Sequence, residues 1–378
     1  MYMSYGRFKN CHSKAPINIC HREPRTGRGD HSCLCDCHVA KPPRNDNLIK
    51  YCVSLFIFLI LLAPAILTAE NRADNGAYHS YAELETDMLA LQQKYPAIVK
   101  VFVIGSSVEH RNIYAMKVSR NVAVDEDKPE VLFLGGHHAR EWISVEVPFL
   151  LGKYLAENYA ADPSVRRLVD QSEIWVVPLV NPDGLEYSIS VDRTWRKNRR
   201  DCGQGNYGVD LNRNYGYQWG IDNAGSSPNP ASEVYRGAAA FSEQETQAVR
   251  DLFLRKKFSG VISFHSASPM ILYPWGYTKL SSDKEIELRD LAAELSAKML
   301  PINGRLYEYL QSGSASYVNN GDLMDWTFAT AGMPSFTVEL PPIDELASGF
   351  FNKQEDIDTV FRESLPAIIF FISRSIQK

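Results

Sequence analysis

The sequence predicts a single α/β domain, a central twisted mixed β-sheet flanked by helices, running from about residue 78 to residue 378. Three observations predict it. Short β-branched or aromatic runs alternate with longer segments of helical spacing, the pattern of strands covered by helices. No internal repeat interrupts that alternation. No linker divides it after residue 77.

The elements follow in order. Tyr81–Tyr95 carries Leu84, Met88, Leu91 and Tyr95 at helical spacing and stops before Pro96. Val99–Ile104, Ile113–Val118 and Val131–Leu134 are short apolar or alternating runs bounded by polar residues or glycine, and read as strands. A helix is expected over Ile143–Tyr159, a strand over Ile174–Val180 and a turn over Asn181–Gly184. From Asp183 to Arg236 the pattern dissolves into Gly, Asn, Ser, Arg and Tyr, and irregular stretches of that length usually carry function. Ser242 with Glu245 three residues on has the form of a capping box opening a helix to about Lys257. Strands are expected at Val261–Phe264, Met270–Tyr273 and Ser335–Leu340, and helices at Asp283–Leu300 and Asp356–Ser375. The sheet should therefore be parallel or mixed.

Composition narrows the function. The chain is 45% hydrophobic and 22% charged, with a formal net charge of -5, which gives no reason to expect a nucleic-acid partner. A monomer is expected. The first part of the chain differs from the rest: Cys11, Cys20, Cys33, Cys35, Cys37 and Cys52 leave only Cys202 beyond. His12, His21, His31 and His38 lie there too, yet the C-x-C-x-C run has no second well-spaced pair to complete a metal or disulfide unit. Residues 1–50 are read as a disordered tail or as sequence before the true start. Residues 51–69 contain an uncharged apolar run that fits the core of a secretion signal or an N-terminal membrane anchor. Both readings place residues 78–378 outside the cytoplasm, secreted, periplasmic or anchored.

Candidate chemistry begins at Gly135-Gly136-His137-His138-Ala139-Arg140-Glu141, directly after the strand Val131–Leu134. Strand ends of open α/β sheets collect ligand-binding groups. His138 and Glu141, three apart, share a face of one helical turn. A catalytic zinc site takes three protein ligands and keeps one position open. His265, after the strand Val261–Phe264, is the only histidine downstream of residue 138 and is the third candidate. On spacing alone His137, four from Glu141, competes with His138. Glu339, in the apolar strand Phe336–Leu340, is costly there unless paired or functional, which makes it a candidate proton acceptor.

The chain resembles the zinc metallocarboxypeptidases typified by pancreatic carboxypeptidases A and B, over roughly residues 78–378. It looks closest to the secreted bacterial branch that includes carboxypeptidase T. The resemblance is carried by Gly136–Trp142, Trp195–Arg199, Asp210–Tyr215, Phe264–Ser266 and Phe336–Leu340, in the family's order. It implies one catalytic Zn²⁺ held by His138, Glu141 and His265, with Glu339 as general base and Arg196 beside the oxyanion. It also implies that Asn212 and Arg213 bind the substrate's terminal carboxylate, as suits a planar guanidinium. By the same resemblance Tyr317 closes over the terminus, and Arg140 and Phe350 bind substrate further out. Ala267 replaces an aromatic residue usual in the animal enzymes. Structural Ca²⁺ is a further expectation, without a named site.

The implied substrates are peptide or protein C-termini. Gly276 and Met324 match positions in the family's side-chain pocket, and a methionine there suits apolar and aromatic side chains. Asp322 matches an acidic pocket residue of the carboxypeptidase T-like branch, so basic side chains are expected as well. Asp210, in the same motif as Asn212 and Arg213, is not counted among the site residues. A folded inhibitory pro-domain of the pancreatic kind is not expected, since only residues 70–77 separate the apolar run from the domain. The alternatives are a same-fold hydrolase of bacterial cell-wall peptides, and a peptide-binding homologue without activity, against which the complete set of catalytic side chains speaks.

Overall fold

The computed structural model describes residues 75–315, 317–341, 350 and 353–377. The expectations for residues 1–50 and 51–69 lie outside the described residues. Among the described residues no helix is long and apolar enough to cross a membrane.

Helix α1 (Tyr81–Lys94) opens the described chain behind a capping box the sequence reading overlooked. Ser80 caps the helix, and the Glu83 carboxylate accepts from the Ser80 amide at 2.9 Å. Strands β1 (Val99–Ser106), β2 (Asn112–Val118) and β3 (Glu130–Leu134) follow. Next come α2 (Ile143–Asn158), α3 (Pro163–Gln171) and β4 (Glu173–Val177). The expected strand over Ile174–Val180 is shorter because Pro178 has no amide hydrogen to continue the ladder.

The turn expected at Asn181–Gly184 is instead the start of α4 (Pro182–Ser190). Asn181 Oδ1 accepts from the Gly184 amide at 2.9 Å and Pro182 occupies the first turn, both helix-start signals. A single 3₁₀ turn at Leu211–Arg213 interrupts the long irregular stretch. Then come α5 (Gln244–Arg255), β5 (Phe258–Ser266), β6 (Met270–Tyr273), α6 (Glu285–Asn303), β7 (Glu308–Gln311) and α7 (Ser312–Ala315). The chain closes with α8 (Leu323–Ala331), β8 (Ser335–Leu340) and α9 (Asp356–Ile376).

The capping box expected at Ser242 and Glu245 does not form. Glu243 is the cap residue, and the Glu245 carboxylate turns away to accept from the Val108 amide at 3.2 Å and from Asn198 Nδ2 at 3.3 Å. Tertiary partners outcompete the local motif there.

The eight strands form one mixed sheet in the order β1-β2-β4-β3-β5-β8-β6-β7. Strands β4, β3, β5 and β8 run parallel at its centre. Strict alternation divides their side chains between two cores. Val131, Phe133, Ile174, Val176, Ile262 and Phe264 join α1, α2, α6 and α9 on one face. Leu132, Leu134, Trp175, Val177 and Val261 join α5 and α8 on the other. Because both faces are covered, the central strands read as continuous apolar runs rather than alternating ones.

Candidate metal centre

Strand β3 is where the chain order reverses, with β4 on one side and β5 on the other. The carboxyl ends of β3, β5 and β8 open into a crevice at this reversal, the place where open α/β sheets gather their ligands. Leaving β3, the chain folds back tightly onto the start of α2. A Cβ on Gly135 would lie 1.8 Å from the Ser144 carbonyl oxygen, and Gly136 has φ +63, so only glycine fits. Ser144 Oγ locks the turn, accepting from the Gly136 amide at 3.1 Å and donating to the Glu141 carbonyl at 2.6 Å.

This turn brings His138 and Glu141 together, with His138 Nδ1 2.8 Å from Glu141 Oε1. His265, near the end of β5, completes the group: its Nδ1 is 3.0 Å from Glu141 Oε2 and 3.1 Å from His138 Nδ1. All three side chains are buried, and their ligand atoms lie within 4.8 Å of one another. Atoms each about 2.1 Å from one tetrahedral ion are about 3.4 Å apart, so two imidazole nitrogens and a carboxylate fit Zn²⁺. Among the described residues this is the one group of three or more His, Cys, Asp or Glu side chains so arranged.

His137 is directed elsewhere. It is fully buried, its Nε2 is 2.9 Å from Tyr215 Oη, and its ring stacks on His265 with centroids 5.5 Å apart. Burial holds its pKa well below the usual histidine range. Burial also lowers His265, which favours the neutral imidazole a metal requires. Burial would raise Glu141, but the neighbouring His138 and His265 hold it below the usual carboxylate range.

Asp210 joins the metal group to the cationic side of the crevice. Its Oδ1 accepts from the Asn212 amide at 3.0 Å and is 3.1 Å from His138 Nε2. Its Oδ2 accepts from Arg196 Nε at 3.1 Å and Nη2 at 2.9 Å. Bound to Asp210 through Nε2, the His138 ring presents Nδ1 to the metal position. Arg196 Nη1 is 3.8 Å from Glu141 Oε1. Despite burial, Asp210 and Glu141 raise its pKa, so it is permanently charged. Burial acts against ionisation of Asp210 too, but Arg196, His138 and Arg213 keep its carboxyl well below the usual range.

Arg213 and Asn212 are both buried and both held from behind. Arg213 donates through Nε to the Gly225 carbonyl at 2.9 Å and through Nη1 to the Asn212 carbonyl at 2.7 Å. Asn212 Oδ1 accepts from the Leu323 amide at 3.0 Å, which leaves its Nδ2 as the donor end facing the crevice. Glu339 faces them on β8, where burial and the charge of Glu141 push its pKa up to about 8 against Arg196 and Arg213. A bound dication would act in the opposite direction.

His138, Glu141, Arg196, Asn212, Arg213 and Glu339 line a cavity of about 270 Å³, together with Arg140, Tyr317 and Phe350. Tyr317 is 59% exposed at its mouth. Arg140 lies over the Phe350 ring, 4.3 Å from its centre. Ser266, Ala267, Asn319 and Thr337 complete parts of the wall.

The side-chain pocket residues are placed differently from expectation. Met324 does not line the cavity; it is buried in the first turn of α8. Asp322 and Gly276 sit one layer behind the wall, against Asn319. Asp322 caps α8 by accepting from the Asp325 amide at 2.8 Å, and its other oxygen accepts from Asn319 Nδ2 at 2.8 Å. The Gly276 carbonyl accepts from the Asn319 amide at 2.9 Å, and a Cβ on Gly276 would strike Asn319 Oδ1 at 2.0 Å.

Comparison with known proteins gives a consistent result. A family model described as zinc carboxypeptidase matches residues 84–367. A zinc carboxypeptidase of Saccharothrix mutabilis subsp. capreolus is 32% identical over 334 residues, covering 82% of this chain and 73% of that protein. Human carboxypeptidase B is 33% identical over 309 residues, covering 80% and 72%. The structure of bovine thrombin-activatable fibrinolysis inhibitor, in complex with tick carboxypeptidase inhibitor, superposes with a TM-score of 0.72. It is 31% identical, and the match covers 79% of this chain and 98% of that one.

Proposed function

Since this chain belongs to the zinc carboxypeptidase family, we propose that the cavity around His138, Glu141 and His265 removes single residues from free peptide C-termini. The enzyme is a metallocarboxypeptidase, and its cofactor is a catalytic Zn²⁺. What carries the reading of the site is the placement of the His138, Glu141 and His265 group, the Glu339 carboxylate and the Arg196 and Arg213 guanidinium groups at one cavity.

Bound by His138, Glu141 and His265, Zn²⁺ supplies a water of lowered pKa and polarises the scissile carbonyl. The protein's own groups do the rest. Glu339 accepts the proton of the attacking water and delivers it to the leaving amine. Arg196, fixed by Asp210 before substrate arrives, faces the oxygen on which negative charge develops. Arg213 and Asn212 hold the terminal carboxylate, and Tyr317 moves in to cover it. Arg140 and Phe350 contact residues on the far side of the scissile bond. Asp210 acts as a positioning residue for both His138 and Arg196.

For specificity, the wall at Asn319 is polar, with the Asp322 carboxylate behind it, while Leu272 and Ala315 contribute apolar surface. This supports acceptance of apolar and aromatic side chains together with basic ones. Asp322 also supports placing the chain in the carboxypeptidase T-like branch. A cell-wall peptidase ending on an acidic side chain is disfavoured by charge repulsion from Asp322. The apolar run at residues 51–69 supports action outside the cytoplasm.

The test is an assay of blocked dipeptides ending in Phe, Leu, Arg or Glu. Turnover of the Phe, Leu and Arg substrates and neglect of Glu support the reading, whereas preference for Glu overturns the specificity assignment.

A further inference from the structure

We propose that the segment Asn75–Ser80 is a strap that positions the outer wall of the substrate groove, with Tyr78 and His79 as its positioning residues. The proposal rests on the assignment of Arg140 and Phe350 to that wall.

The wall is tied from two sides. From within, Arg193 donates to the Arg140 carbonyl at 2.7 Å and to the Phe350 carbonyl at 3.0 Å. Its guanidinium lies 3.5 Å from the centre of the Trp142 ring, next to the metal-ligand candidate Glu141. From outside, the strap holds the residues that follow Phe350. The Ala77 amide donates to Gln354 Oε1 at 3.1 Å, and Tyr78 Oη donates to the Lys353 carbonyl at 3.3 Å. The Tyr78 ring also packs on Trp142, with centroids 5.6 Å apart. Trp142 thus touches both ties.

His79 anchors the strap to the helix that follows Glu141. Its amide donates to Glu146 Oε1 at 2.8 Å and its Nδ1 is 2.8 Å from Glu146 Oε2, in the first turn of α2. The ring sits edge-on to Phe149, with centroids 4.7 Å apart. Tyr78 is only 5% exposed. A segment that merely started α1 would need the Ser80 cap and nothing more. This one instead bonds to Gln354 and Lys353, more than 270 positions away and only a few residues beyond Phe350 of the groove wall.

Such a strap should matter most for substrates long enough to reach Arg140 and Phe350. The test uses the full chain carrying Tyr78→Phe, which deletes one bond to the wall, and His79→Gln, which weakens the anchor. kcat and KM are measured on a blocked dipeptide and a blocked tetrapeptide with the same terminal residue, with zinc content recorded alongside. The expected result is a rise of about tenfold in tetrapeptide KM for His79→Gln, a smaller rise for Tyr78→Phe, and unchanged kcat, the signature of lost uniform binding. Dipeptide kinetics and zinc content should stay at wild-type values. Parallel losses on both substrates, or no change on either, overturn the proposal. If His79→Gln fails to fold, the Tyr78→Phe comparison decides alone. A wild-type protein inactive on the dipeptide would instead count against the carboxypeptidase assignment of the cavity.

Discussion

His265 and Glu339 are register partners on the neighbouring parallel strands β5 and β8. Partners across a ladder project to the same side of a sheet, so the fold itself sets the distance between one proposed zinc ligand and the proposed proton acceptor. Replacing Glu339 with Gln keeps the shape and removes the basic site. kcat is expected to fall by about 10²–10⁴, with zinc content unchanged. Steady-state kinetics and metal analysis check this together; an active E339Q enzyme would remove Glu339 from the mechanism.

Asp210→Asn tests the link between the metal group and the cationic clamp. The variant loses the charge that holds Arg196 and keeps only one acceptor oxygen where Asp210 uses two, one for Arg196 and one for His138. Zinc affinity should weaken by about 10–100-fold, the usual effect of losing such an outer partner. Chelator competition measures it. kcat should fall as well, even at saturating zinc, because Arg196 is released.

Arg213→Lys keeps the charge but not the planar fork. KM for substrates with a free terminal carboxylate should rise at least about tenfold, whereas the same protein should bind zinc normally. If Arg213→Lys leaves KM unchanged, the carboxylate is held elsewhere.

Asp322 carries a pH prediction. Burial pushes its pKa up to about 6 against the Asp325 amide, Arg213 and Asn319. Its charge therefore appears as pH rises from about 5 to 7, and with it attraction for a Lys or Arg side chain. The ratio of kcat/KM for Arg-ending over Leu-ending substrates should climb across that interval in the wild type and stay flat in Asp322→Asn. Asn319→Ala, which uncovers the carboxylate, should raise the ratio throughout.

The pairing of His79 with Glu146 makes a stability prediction. Burial would lower the imidazole pKa, but Glu146 and then Asp87 raise it to about 9. Since the folded value exceeds the unfolded one of about 6.5, this stabilisation is complete below pH 6.5 and disappears as pH rises through about 9. The gap in melting temperature between wild type and His79→Gln should therefore narrow from pH 6 to pH 10.

Much of the fold is legible because the central strands are apolar, β-branched and sharply bounded. Ser335–Leu340 is visible in the sequence at its observed limits, and the predicted mixed α/β sheet is the one observed. The elements overlooked, α3, β7, α7 and α8, are short, and α8 lacks polar–apolar alternation because most of it is buried. The spacing of His138 and Glu141 was readable since one turn joins them. It could not separate His138 from His137, a choice made by the direction of each ring: toward Glu141 in one case, toward Tyr215 in the other. Asp210 shows only as an acid beside Arg213 in the sequence. Its reach to both His138 and Arg196 depends on how the irregular stretch folds back. The layering of Asn319 over Asp322 is likewise a tertiary fact, and so is the burial of Met324 within α8, which the resemblance to the family places in the pocket.

The account depends on one zinc ion lying between His138, Glu141 and His265, in front of a clamp for a free carboxyl end. The direct test follows hydrolysis of a blocked dipeptide ending in Phe, and of its C-terminal amide, before chelation, after chelation and after zinc is returned. Loss of activity with the chelator, recovery with zinc and no cleavage of the amide are predicted. Undiminished cleavage by metal-free protein, or equal cleavage of the amide, would contradict it.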